Sequence, residues 1–379
     1  MPCRPYRSAD MSVKVPRAEL WAVGVLDSRA LVCPRTEAAG WRGCVKSNLA
    51  VGLLGGGSWG TTVASLIARN APVTIWARSV ETVREINGAH TNEKYLPGAT
   101  LPKALIATDS LEQAIGRADV LVVGVPSPSV RVVLEEAKEY VRPWIPVISL
   151  TKGLELDSRK RMTQVIEDVL PGHPVGVLSG PNLAQEIMSG HAAASVVAME
   201  DEIIVTELQK LFRSGLFRVY TNTDVIGCEL GGVLKNIIAI AAGMGDGQGA
   251  GENTRSAIIT RGLAEITRLG VALGGKTETF AGLAGMGDLI ATCTSPQSRN
   301  RSVGFELGKG RTIQEIVDEM FMVAEGVKSA PAVLALALEH EIEMPVAREV
   351  LEVIEGRSTP IRAFRGLLRQ SAGSEADPG

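Results

Sequence analysis

From Leu49 onward, short β-rich apolar runs alternate with segments of helical period, and this alternation predicts a parallel sheet flanked by helices. Leu49–Leu54, Pro72–Trp76, Leu105–Thr108, Asp119–Val125, Pro146–Leu150 and Val175–Ser179 read as strands. Residues 192–199 and 217–220 read as the last strands of this half. Helices are expected between them over Thr61–Asn70, Val80–Asn87, Ser110–Arg117, Val130–Val141 and Asp201–Ser214. From Asp224 the alternation ceases, and the rest reads as helices with glycine-rich joints at Gly243–Gly251, Gly282–Gly287 and Gly308–Gly310. Val225–Ala242 is apolar nearly all round, which predicts a buried helix, whereas Asn253–Leu269 is amphipathic.

The shift near residue 222 divides the chain. The expected fold class is α/β: an N-terminal Rossmann-type doubly wound sheet over 48–222, followed by an all-α C-terminal domain over 223–369. The first strand runs into Gly55-x-Gly57-x-x-Gly60, and a helical pattern follows. In a dinucleotide-binding turn Gly55 permits the tight bend, Gly57 lets the backbone approach a pyrophosphate, and Gly60 lets the helix lie close. The helix's free N–H groups then face the anion. Three glycines in six residues are also compatible with a flexible turn. About 20 residues on, where an acid would bind the ribose hydroxyls of NAD, the chain offers Arg78. An arginine there suits a 2′-phosphate, so NADP(H) is favoured and NAD(H) admitted; a solvated surface arginine is the competing reading.

Composition narrows the classes. The 379 residues suggest two domains, and 45% hydrophobic content supports sizeable cores. A formal charge of −3 and 4% aromatics speak against nucleic acid as a partner. No uncharged apolar run reaches about 18 residues, so no membrane insertion is expected. The five cysteines, at 3, 33, 44, 228 and 293, form no metal-ligand spacing and are odd in number, which points to a reducing, cytoplasmic setting. Residues 1–47 carry eight Lys/Arg, four Asp/Glu and no sustained period. They read as a disordered extension or as translation from a start placed too far upstream; the polar tail 370–379 also reads as disordered. Neither a heptad nor an interface stripe is legible, which leaves a homodimer open.

Candidate chemistry lies where the pattern places charge among apolar residues. Lys235 and Asn236 fall inside the buried helix. A lysine there costs several kcal/mol unless paired or neutral, which makes Lys235 the candidate acid–base group, against the alternative that it snorkels to the surface. Lys152 follows a strand in Thr151-Lys152-Gly153 and can reach into the crevice, or lie on the surface. Gly180 and Asn182 sit in Gly180-Pro181-Asn182, where close backbone approach and an amide donor suit a substrate oxygen. Asp288 can accept from Lys235 or from substrate hydroxyls, or merely cap a helix. Ser298-Arg299-Asn300-Arg301 combines forked and neutral donors, as phosphate recognition needs, or is an ordinary helix start. A nucleotide-sugar dehydrogenase would need a thiolate, which the settings of Cys228 and Cys293 do not favour. A dehydrogenase for 3-hydroxy or sugar acids keeps the glycine turn and the helix-borne lysine but needs no Ser298–Arg301 cluster. A non-enzymatic NADPH-binding module needs the turn alone.

The chain resembles the bacterial NAD(P)-dependent glycerol-3-phosphate dehydrogenases from about Val51 to Arg365. The resemblance rests on GGGSWGTT, NEKYLPG, VGVPS, TKGLE, LSGPNLAQE, RVYTNTDVIGCELGGVLKNIIAIAAG, ITRGLAEITRLG, TFAGLAGMGDLIATCTSPQSRNR and AEGV, in that order. It implies reversible reduction of dihydroxyacetone phosphate to sn-glycerol 3-phosphate, which enters phospholipid synthesis, without a metal. It further implies that Lys235 is the acid–base lysine and that Lys152 touches cofactor and substrate. Gly180, Asn182, Asp288, Ser298, Arg299 and Asn300 would complete the substrate site. Ser58 and Trp59 would lie on the pyrophosphate turn and Arg78 at the adenosine end. Ala184, Arg299, Val323 and Glu325 would also contact the cofactor.

Overall fold

The computed structural model describes residues 49–320 and 324–369; the extension 1–47, the tail 370–379 and Val323 lie outside the described residues. The sheet half runs β1 (Val51–Leu54), α1 (Ser58–Ile67), β2 (Val73–Trp76), α2 (Val80–Gly88), β3 (Leu105–Thr108), α3 (Leu111–Ile115), β4 (Val120–Val123) and α4 (Val130–Ala137). It continues through β5 (Val147–Ser149), α5 (Met162–Val169), β6 (Val175–Ser179), α6 (Ala184–Met188), β7 (Ala193–Met199), α7 (Glu202–Phe212) and β8 (Phe217–Asn222). The strands form one sheet in the order β3-β2-β1-β4-β5-β6-β7-β8. All neighbours are parallel except β6 and β7. Strand order reverses between β1 and β4, and a sheet wound this way opens a ligand crevice at the carboxyl ends of those strands. The fully buried stretches VGLL and VLVV sit at that reversal, with helices closing both faces.

The helical half comprises α8 (Val225–Gly247), α9 (Glu252–Ala272), α10 (Thr277–Phe280), α11 (Asp288–Thr294), α12 (Arg299–Gly308), α13 (Ile313–Glu319), α14 (Glu325–Glu339), α15 (Pro345–Ile354) and α16 (Pro360–Arg369). Helix α8 is its axis, with α9, α12, α14 and α15 packed around it. By length and composition α8 is apolar enough to cross a bilayer, yet 94% of its most apolar window is buried inside the protein. Val225 and Cys228 of α8 join Val177, Val196 and Ala198 of the sheet in one apolar cluster, so the two halves share a packed seam.

Three sequence expectations need correction. The predicted joint at Gly243 is helix: α8 runs unbroken to Gly247. A Cβ at Gly243 would stand 2.1 Å from the Arg301 carbonyl oxygen, so here glycine serves the close approach of α12 and not a bend. Residues Leu283–Gly287, expected as part of a glycine-rich joint, form a π-helical turn that feeds α11. Helix α1 begins at Ser58, three residues earlier than the pattern suggested. The structure also adds α5 and α6, which the pattern did not reveal.

A buried carboxylate ties two of the outer helices. Glu265 of α9 is 1% exposed and accepts from the backbone N–H groups of Val346 (2.6 Å) and Ala347 (3.1 Å), the free first turn of α15. Burial pushes its carboxyl from 4.5 up to about 7, against the pull of the two N–H donors, Arg268 and Arg348. A raised acid binds its proton more tightly when folded, so its contribution to stability is full below pH 4.5 and is lost as pH rises through 7. Urea titrations of wild type and Glu265→Gln from pH 5 to 8 are therefore expected to diverge. The stability of the wild type relative to the variant should fall with rising pH, by at most about 1.4 kcal/mol per unit. Parallel curves would remove this linkage.

Candidate active site

The glycine turn closes the crevice between β1 and β4. Gly55 adopts φ +126°, and a Cβ there would meet the Gly124 carbonyl carbon at 2.6 Å, so an L side chain is excluded by both conformation and space. At Gly60 a Cβ would stand 2.0 Å from the Gly55 carbonyl oxygen; that closeness lets α1 start directly on the strand. Gly57, by contrast, faces open space, and as N-cap it offers α1 no side-chain hydrogen bond. No side chain of the N-cap residue therefore satisfies the first N–H groups of α1. The Trp59 indole N–H is buried without a hydrogen-bond partner, while its ring sits 6.4 Å from that of Phe217. Asn92, within NEKYLPG, braces the turn: its amide donates to the Gly56 carbonyl (3.0 Å) and to Thr61 Oγ1 (2.9 Å). Ala77 packs under Gly56, which sets the following Arg78 beside the turn, exposed and with no ion pair among the described residues.

Charge gathers farther along the same edge of the sheet. Lys152, on the loop after β5, places Nζ 2.5 Å from Asp288 Oδ2 and 3.0 Å from the Gly180 carbonyl oxygen. Lys235, on α8, places Nζ 2.8 Å from Asp288 Oδ1 and 2.5 Å from Thr292 Oγ1. Asp288 therefore does not cap α11 but lies between two ammonium groups, and Lys235 does not snorkel. Although 21% of its side chain is exposed, Lys152 has its ammonium nitrogen turned inward. Burial pushes the Lys152 pKa down to about 8; Asp288 pulls it back up, and Lys235 adds to the depression. The Lys152 stem crosses Gly232 of α8, where a Cβ would stand 3.4 Å from Cδ and 3.1 Å from Ser179 Oγ.

Two further polar atoms are buried and unpartnered at this edge, Ser179 Oγ and Asn182 Oδ1. Gly180 takes φ +130°, turning its carbonyl towards Lys152, and the Asn182 amide donates to Ser195 Oγ (3.2 Å). Ala184, half-buried, starts α6.

The Ser298–Arg301 segment divides its duties. Ser298 caps α12 by accepting from the Arg301 N–H (3.3 Å), and Arg299 is exposed. Asn300 is buried; its amide donates to Asn236 Oδ1 (3.0 Å) and its oxygen accepts from the Gly326 N–H (2.9 Å). Arg301 turns away from this group to pair with Asp246, which also holds Arg255. Glu325, at the first turn of α14, accepts from Ser127 Oγ (3.3 Å), and burial raises its pKa.

The structure thus unites Lys152, Gly180, Lys235 and Asp288 directly, with Asn300 and Glu325 joined through Asn236, Gly326 and Ser127. Thr292, Ser127, Ser195 and Asn92 were not singled out from sequence. Thr292 stands one helical turn after Asp288, an i,i+4 spacing that was legible once Asp288 was a candidate. Cys228 and Cys293 are buried, and burial raises both thiols, Cys293 to about 12, so neither supplies a thiolate.

Comparison with known proteins places these residues in a family. The model for the NAD-dependent glycerol-3-phosphate dehydrogenase N-terminus matches residues 50–205, and that for the C-terminus matches residues 224–365. The chain is 70% identical over 331 residues to glycerol-3-phosphate dehydrogenase (NAD(P)+) 2 of Sphingopyxis alaskensis, spanning 87% of this chain and 99% of that one. With glycerol-3-phosphate dehydrogenase (NAD(P)+) 1 of Mycobacterium tuberculosis it shares 54% over 324 residues, 85% of this chain and 95% of that one. The crystal structure of glycerol-3-phosphate dehydrogenase from Coxiella burnetii superposes with a TM-score of 0.81 at 37% identity, covering 85% of this chain and 99% of that one. The chain belongs to the NAD-dependent glycerol-3-phosphate dehydrogenase family.

Proposed function

We propose that this chain is an oxidoreductase that reduces dihydroxyacetone phosphate to sn-glycerol 3-phosphate with NAD(P)H, reversibly, and supplies glycerophospholipid synthesis. The observation that carries this reading is Asp288 held between Lys152 and Lys235 at the crevice edge. We place the protein in the cytoplasm, a reading that rests on the odd count and the spacing of its cysteines.

The turn residues suit a dinucleotide. Gly55, Gly57, Ser58, Trp59 and Gly60 would take the pyrophosphate, supported by the open Gly57 face, the uncapped start of α1 and the unpartnered Trp59 N–H. Arg78 would meet the adenosine end, and Lys152, Ala184, Arg299 and Glu325 would line the rest. A nicotinamide bound there would supply the hydride. The protein's own work is on the substrate oxygen, where negative charge develops. Lys235 Nζ stabilises that charge and delivers the proton, while Asp288 and Thr292 hold the ammonium in place. Lys152 adds a second positive group on the side of Gly180. Ser298, Arg299 and Asn300 offer a hydroxyl, a guanidinium and an amide for the phosphate, and Asn182 a further polar contact.

Three outcomes are expected. NADPH oxidation with dihydroxyacetone phosphate should be readily measurable in the wild type and fall at least about 10²-fold in Lys235→Ala, the scale of a lost general acid. A wild type inactive with this substrate would end the proposal. The kcat/KM of the wild type should decline at alkaline pH as Lys152 loses its charge near 8. Because Asp288 holds that pKa up, Asp288→Asn should move the decline to lower pH; a decline that stays or moves upward would contradict the pairing. Arg78→Ala should weaken NADPH at least about tenfold more than NADH, the worth of one charge-assisted contact. Equal losses would remove the 2′-phosphate role.

A further inference from the structure

Helix α8 buries a second charge, Glu229, which none of the chemistry above uses. It is 2% exposed and sits among apolar neighbours. Its Oε1 accepts from the Thr163 backbone N–H (3.0 Å), and its Oε2 accepts from Thr163 Oγ1 (2.6 Å) and Arg161 Nη1 (2.8 Å). Arg161 also donates to Thr163 Oγ1 (2.6 Å), so the three side chains close a ring. Besides Arg161, the charged group bearing on Glu229 from α5 is Glu167.

Thr163 lies in the first turn of α5 and Arg161 is its N-cap, so this cluster marks the far end of the loop that carries Lys152. The loop is closed on itself by a Leu154–Arg161 bridge and by the Glu155 N–H donating to the Lys160 carbonyl (3.0 Å). Leu154 packs in the same apolar cluster as Leu230, Val233 and Leu234 of α8. Near Lys152 the loop touches α8 at Gly232, three residues after Glu229 and therefore on about the same helical face. The loop is thus held to α8 at both ends, by the Lys152 stem over Gly232 and by Arg161 and Thr163 on Glu229.

We propose that Glu229 is a positioning residue: it fixes the register between the Lys152 loop and α8, and so the distance between the two ammonium groups that share Asp288. An ion pair this deeply buried adds little net stability over apolar packing, so its worth lies in the geometry it holds. A displacement of about 1 Å at a reacting centre is enough to cost large factors in rate. The proposal rests on the dehydrogenase reading, and the wild-type assay above fails separately if that reading is wrong.

The test compares wild type with Glu229→Gln, Thr163→Val and the double variant Glu229→Gln/Arg161→Met, by steady-state kinetics and urea titration. Gln keeps the shape and one acceptor but strands the Arg161 charge; Thr163→Val removes the hydroxyl that donates to Glu229 and accepts from Arg161, but no charge, which keeps the test informative if the first variant folds poorly. KM for dihydroxyacetone phosphate should rise about tenfold or more in Glu229→Gln and severalfold in Thr163→Val. KM for NADPH should rise less than KM for the ketone, because Lys152 is one of several residues at the cofactor, and the alkaline decline assigned to Lys152 should shift. Removing Arg161 as well relieves the stranded charge, so stability should recover while KM for the ketone does not. A merely structural role predicts lost stability with unchanged KM in the folded fraction, or recovery of KM together with stability; either result would overturn the proposal.

Discussion

Two lysines facing one buried carboxylate are the constraint on which the rest of the structure depends. Asp288 is 2% exposed and would be costly to ionise there alone; Lys152 and Lys235 compensate it from opposite oxygens. The three charges come from a loop after β5, from α8 and from the start of α11. Their meeting requires the sheet and the helical half to be docked in one register. The apolar seam of Val177, Val196 and Ala198 against Val225 and Cys228 supplies the docking, and at Gly232 the helix meets Ser179 and the Lys152 stem closely. Packing sets the geometry, and the charges make use of it.

The same logic explains why so apolar a helix carries charge at all. Helix α8 contributes Leu230, Val233, Leu234, Ile237 and Ile238 to the helical core, yet its buried polar groups Glu229, Lys235 and Asn236 all find partners. Each partner lies on a different element: α5, α11 and α12. A buried polar group specifies one arrangement where an apolar one tolerates several, because leaving it unpaired costs more than a shifted methyl group does. These contacts turn α8 from a greasy axis into a registered one.

Much of the fold was legible in the sequence because strands buried on both faces leave apolar runs that few other structures produce. The fully buried Val51–Leu54 and Val120–Val123 fall inside the runs Leu49–Leu54 and Asp119–Val125, and the edge strand Leu105–Thr108, with Ile106 exposed, falls where the pattern put it. Helix α6 has five residues, too few to show a period, and α5 begins at an arginine N-cap without a Ser, Thr or Asp signal. Gly243 misled because glycine's local cost is visible in a sequence, whereas the close approach of α12 that offsets it is tertiary. Among site residues, Lys235 stood out from the polarity of its surroundings alone. The partner of Arg301 did not: Asp246 is 55 positions away, and nothing in SRNR distinguishes an arginine that faces a ligand from one that braces α8.

Charge count carries the last step from geometry to substrate. With both lysines protonated, Lys152, Lys235 and Asp288 sum to one positive charge, and the exposed Arg299 adds another near the start of α12. The neighbouring carboxylate, Glu325, has its pKa raised by burial, against the pull of Lys328, Ser127 and Arg299. On the proposed reading, this balance would suit a ligand bearing a phosphate at one end and an oxygen that becomes negative at the other. A neutral ketone would leave Arg299 and the donors of Ser298 unused, and a simple phosphate would leave Lys235 without an oxygen to protonate. On the proposed reading a phosphorylated ketone would engage both, its carbonyl oxygen at Lys235 and its phosphate at Ser298, Arg299 and Asn300, whereas a hydroxy acid would have no use for the second group.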